Sequence, residues 1–182
     1  MPQDRGPQGQ GRAGAASRAA TARDDRRPMP GVPEAAAWLG LSGLIPFGLG
    51  AAGTLLLSGE PGALTRDLLA GYGAVILSFM GGCRWGFAAA GLGREALPGD
   101  ARGARREWLR YGVSVIPALF AWPVLWLDDP LRLGLLAVGF VVLLSADVTL
   151  AERGGAPAWW PVLRRPLSWG AAGCLGLAAV FA

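Results

Sequence analysis

The chain has 182 residues and a formal charge of +4; 52% of its residues are hydrophobic and only 16% are charged. Soluble domains carry about 25% charged residues, and here the charges crowd into the first 34 positions and a few short gaps. An ordinary soluble domain is thereby excluded. Apolar stretches of 18 or more residues are membrane-helix candidates, and the chain is predicted to be an all-α polytopic membrane protein.

All 17 basic residues are Arg; Lys, His and Asn do not occur. The bias suggests GC-rich coding and hence a bacterial source. A pI of about 10.0 invites a nucleic-acid reading. The arginines flank apolar stretches, however, so topology accounts for them and no nucleic-acid partner is expected. With no His, and with Cys83 and Cys174 far apart, no zinc-type cluster can form. No metal and no cofactor are expected.

In chain order, residues 1–33 combine six Arg with Gly, Pro, Ala and Gln and almost no large apolar side chain. Such a segment cannot bury enough surface to offset its ordering entropy, and it reads as a disordered tail. Its Arg- and Ala-rich start resembles a mitochondrial transit peptide, against which stand Asp4, Asp24 and Asp25. Residues 34–182 form the membrane domain, a bundle of five expected spans at about 35–57, 68–92, 108–127, 131–150 and 166–182. Glu34 after Pro33 suits a helix start. "SGEPG" (58–62) reads as a turn, "DDP" (128–130) as a tight hairpin connection, and Pro166 as a first-turn proline.

Arg94, Arg102, Arg105 and Arg106 fall between the second and third spans, and Arg153, Arg164 and Arg165 between the fourth and fifth. With the tail arginines these lie on one side. The positive-inside rule then places the N-terminus inside and the C-terminus outside. Trp38, Trp108, Trp159 and Trp160 would mark the inner interface, Trp122 and Trp126 the outer one.

The second span, "YGAVILSFMGGCRWGFAAAG" (72–91), contains Arg84, whose guanidinium stays charged at any ordinary pH. Ala74, Ser78, Gly82, Gly86 and Ala90 recur every four residues in the same span. That is a helix-packing ribbon of small residues, which serves ordinary packing or a homodimer. Arg84 lies about 200° round the helix from Gly82 and points away from the ribbon. Asp147 in "LLSADVTL" is the only acidic residue inside a span, at a depth that lets it meet Arg84. Ser42 and Ser114 fall at similar depth. Pro46 and Pro117 each free a backbone carbonyl there. Arg84, Asp147, Ser42 and Ser114 are therefore the candidate intramembrane polar site.

The stretch Tyr72–Gly86 resembles the signature of a family of multi-pass membrane proteins known as domain of unknown function 3429, and the eukaryotic transmembrane protein 69 group is similar. The resemblance extends through "AAWLGLSGLIPF" (36–47), "YGVSVIPALFAW" (111–122), "LLSAD" (143–147) and "PAWWPVLRRPL" (157–167). It implies a five-helix protein of the bacterial inner membrane or, alternatively, of the mitochondrial inner membrane, and no established activity. Family members often have His before the Trp where this chain has Arg84.

No catalytic pattern is present: there is no His, no GxSxG and no paired carboxylates, which leans against an enzyme. The main reading is a structural or interaction component of the lipid bilayer, with a membrane-protein partner or a second copy as its associate. The alternative is a small-solute or lipid-binding permease with a polar inner-leaflet cavity around Arg84 and Asp147, because intramembrane charges beside broken helices are typical of transport sites.

Overall fold

Glycine, proline and charge decide where the helices of this chain begin and end. The computed structural model describes residue 29 and residues 31–93 and 101–182; the expected tail falls almost entirely outside the described residues. Among these residues the helices are α1 (Glu34–Ser42), α2 (Leu44–Leu56), α3 (Gly59–Ala89), α4 (Ala101–Val124), α5 (Leu131–Glu152) and α6 (Trp160–Val180).

The first expected span is two helices, broken at Gly43. Pro46 has no N–H to return to the preceding turn. At the break the Gly43 carbonyl accepts from the Tyr72 hydroxyl of α3 at 2.9 Å. The "SGEPG" turn is absorbed into α3, where Pro61 and Glu60 sit in the first turn, the place in a helix that tolerates proline and favours negative charge. The last expected span starts a turn and a half earlier, at Trp160, with Pro161 as the first-turn proline and Pro166 inside the helix.

Both α3 and α5 end in the same Schellman arrangement. Gly91 (φ 75°) and Gly154 (φ 70°) take the left-handed conformation. Leu92 N–H then donates to Phe87 C=O, and Gly155 N–H to Leu150 C=O. These two ends lie side by side: a Cβ on Gly93 would sit 3.0 Å from Gly155 Cα. The starts are also adjacent. Arg66 Nε lies 3.1 Å from Asp129 Oδ2, and Arg132 Nη2 lies 2.8 Å from Asp67 Oδ1. Helices α3 and α5 are therefore parallel neighbours.

Helix α3 is central, touching α2, α4, α5 and α6. Phe47, Leu69, Leu77, Leu133, Leu136, Phe140 and Leu175 fill the core. Phe47 meets Tyr72 and Phe140 edge-on at centroid distances of 4.9 and 5.6 Å. Against α4 the backbones come close at Gly81, where a Cβ would run into the carbonyl oxygen of Ser114. The outer surface is apolar in turn: Leu49, Phe79, Leu119, Trp122, Val142 and Trp169 are all exposed, the kind of surface that bilayer hydrocarbon covers.

The expectation of five spans is corrected. Among the described residues three helical stretches are long and apolar enough to cross a membrane: Glu34–Leu56, Gly59–Ala89 and Leu131–Glu152. The reason is charge. Arginines fill the first part of α4 and leave only Tyr111–Val124 clear, about 21 Å at helical rise. In α6 the stretch after Arg165, Pro166–Val180, spans about 22 Å. Both fall short of a hydrocarbon core of about 30 Å. The N-inside, C-outside orientation rested on the five-span count and falls with it. Trp160 also leaves the expected interfacial belt: it is buried, edge-on to Phe87 at 4.9 Å.

Candidate functional site

Asp147 lies on the inward face of α5 and is wholly buried. A carboxylate there must be paired, because an isolated buried charge is prohibitively costly. It is paired twice. Arg84 Nη1 of α3 donates to Oδ1 at 2.9 Å, and Arg164 Nε of α6 donates to Oδ2 at 2.9 Å. The side chain of Arg164 is 2% exposed and that of Arg84 10%. Two fixed positive charges thus share one carboxylate, leaving this centre with an excess of one positive charge among the described residues.

The sharing has a structural cost. In a guanidinium, Nε and Nη2 form the side-on fork that a carboxylate ordinarily fills with both oxygens. Arg84 has taken Oδ1, so Arg164 Nη2 is buried with no partner among the described residues. One turn away on either side, Ser168 Oγ and Trp160 Nε1 are in the same condition. The other helical Ser and Thr hydroxyls find an acceptor within their own helix, Ser42 on the carbonyl three residues back. Thr54, Thr65, Ser78, Ser114, Ser145 and Thr149 each donate to the carbonyl four residues back, and Ser168 does not. The Arg164 guanidinium lies 5.8 Å from the Trp160 ring centroid, within cation–π range.

Arg84 also lines two adjoining cavities. One, of about 340 Å³, lies between α4 and α5 over Leu77 of α3 and is walled by Val113, Ile116, Phe120, Val138 and Val142. The other, of about 210 Å³, continues towards the C-terminal ends of α3 and α5 and adds Arg110 and Ser114. Arg110 Nη2 donates to the Leu92 carbonyl.

Of the residues singled out in the sequence, Arg84 and Asp147 are in contact, and Ser114 lines the second cavity, its hydroxyl donating to Arg110 C=O at 2.8 Å. Ser42 is elsewhere, exposed and donating to Leu39 C=O. In the small-residue ribbon Ala74 is buried and Ser78 half-buried, while Gly82, Gly86 and Ala90 are exposed. A Cβ at Gly82 or Gly86 would meet nothing within 4 Å. Sequence reasoning missed Arg164, counting it with Arg165 as a loop cation before Pro166. The available signal was Pro161, a second candidate first-turn proline that puts Arg164 inside the helix. Arg165 is exposed. Both cysteines are free and half-buried.

Long apolar helices packed round a buried ion triad define an all-α, polytopic integral membrane protein. The chain belongs to the family described as protein of unknown function DUF3429, whose profile matches residues 32–180. It is similar to transmembrane protein 69 of Xenopus tropicalis, 33% identical over 151 residues, which cover 80% of this chain and 54% of that protein. Transmembrane protein 69 of Mus musculus is 28% identical over 134 residues, covering 72% and 50%. The chain spans about half the length of the curated relatives it matches. No solved structure matches. Both relatives are vertebrate proteins, and the expected placement in a bacterial inner membrane is corrected accordingly.

Proposed function

We propose that the chain is a membrane protein that binds an anionic small solute or lipid headgroup at the Arg84–Asp147–Arg164 centre. The observation that carries this reading is the shared carboxylate: two guanidiniums on one wholly buried Asp147. A purely structural pair needs one arginine. The second adds a charge that Asp147 cannot cancel and orphans Arg164 Nη2. An anion held against Arg84, which lines both cavities, supplies the missing negative charge.

The ligand-binding unit is residues 34–182, with residues 1–33 as an appended tail. The family match beginning at residue 32 supports this division.

The test is thermal melting of the full chain in neutral detergent at constant ionic strength. The additives are inorganic phosphate, an anionic lipid and a zwitterionic lipid. A saturable rise with an anionic additive that disappears in Arg84→Met is expected, since only ligands of the folded state raise its stability. Equal melting across all additives contradicts the reading.

A further inference from the structure

The geometry points to an anionic glycerophospholipid as the ligand, with its phosphate between Arg84 and Arg110 and one acyl chain in the groove between α4 and α5. This rests on the anion-site reading above and specifies its ligand. The two cavities share Arg84 and Val113 but differ in character. The larger is apolar except for Arg84 itself. The smaller holds two guanidiniums, Arg84 and Arg110, and the Ser114 hydroxyl.

Their order along the bundle matches the order of parts in a lipid. Arg84 is five residues from the end of α3 at Ala89, about 8 Å at helical rise. The two-guanidinium cavity lies on the side of that end, where a headgroup would be. The apolar cavity runs the other way, towards mid-helix. On α5 it extends from Ala146 back to Val138, about 12 Å. Its walls open sideways, since Ile116, Val138 and Val142 are all more than half exposed. A chain can therefore enter laterally from the bilayer without threading through the protein.

Selectivity must come from the headgroup. An acyl chain leaving bilayer hydrocarbon for an apolar groove gains little, because the two surroundings are alike. A phosphate meeting guanidinium donors in a dry site gains charge-assisted hydrogen bonds. A zwitterionic choline lipid offers the same phosphate but adds a cation next to two arginines, which opposes binding. A free phosphate offers the charge without the chain.

The test is native mass spectrometry of the full-length protein in neutral detergent. Phosphatidylglycerol is offered against phosphatidylcholine of identical chains, and sn-glycerol 3-phosphate is added as the chainless arm. Phosphatidylglycerol is expected to be retained about tenfold over phosphatidylcholine, and glycerol 3-phosphate not at all at the same concentration. Arg84→Met brings the two lipids to parity. Val142→Trp, at an exposed wall position away from the guanidiniums, lowers phosphatidylglycerol retention while leaving any stabilisation by inorganic phosphate intact. Ile116→Trp does the same from the opposite wall. Parity of the two lipids in the wild type, or undiminished retention with both tryptophans tolerated, overturns the proposal. Retention of glycerol 3-phosphate as tight as that of the lipid leaves the anion site standing and removes the lipid from it.

Discussion

Asp147 gives one oxygen to Arg84 and the other to Arg164, and the three residues are expected to respond unequally to substitution. Asp147→Ala strands two guanidiniums. Breaking a buried pair costs about 3–5 kcal/mol in soluble proteins, and about 1–3 kcal/mol is expected here because pair energies in membranes run lower. Arg84→Met removes one claimant and frees Oδ1 to complete the fork on Arg164, so its cost is expected to stay under about 1 kcal/mol. Asp147→Ala combined with Arg84→Met should be less harmful than Asp147→Ala alone. Double-mutant cycles of unfolding in detergent measure this coupling, and strictly additive effects would mean that the pairs contribute nothing. Arg84 and Asp147 were legible in the sequence because each is a lone charge within an apolar run. Arg164 was not, because its burial follows from α6 docking on α5, and a neighbouring Arg165 masks it.

At the scale of elements, α3 and α5 are joined at two levels. Arg66–Asp129 and Arg84–Asp147 both link residues 63 apart in the sequence. The two arginines are five helical turns apart on α3, about 27 Å, so the pairs hold one face of each helix in register. The Asp129 pair is partly exposed and sits among other charges. Arg66→Ala is expected to cost no more than about 1 kcal/mol, well below Asp147→Ala in the same unfolding measurement. The α3–α4 contact is tighter. Gly81 faces the Ser114 carbonyl, part of a helix backbone that cannot step aside. Gly81→Ala should destabilise by about 1–3 kcal/mol. Gly82→Ala, which meets nothing, should be neutral or slightly favourable because Ala is the better helix former; the reverse order would contradict this packing. Helix existence was legible from the apolar runs. Boundaries were not, because Pro61 and Pro161 are equally at home in a turn and in the first turn of a helix, and only packing decides between them.

Across the whole molecule, all-α membrane character followed from composition. The number of crossings did not, because α4 and α6 carry arginines and prolines in lengths that a reading of apolar runs counts as spans. Deleting residues 2–30 is expected to leave the helical unit folded, with the melting midpoint of the truncated chain within a few degrees of the full chain. Aggregation or loss of the cooperative melt would show that the tail is part of the folded unit. The central claim is that the extra positive charge of the Arg84–Asp147–Arg164 centre is met by an anionic ligand. It is tested most directly by native mass spectrometry of the protein released gently from its own membrane. The wild type is predicted to carry a non-protein mass that fragments to an anion, and Arg84→Met to carry none. A wild type free of bound mass, or an Arg84→Met protein that retains the same mass, would contradict the account.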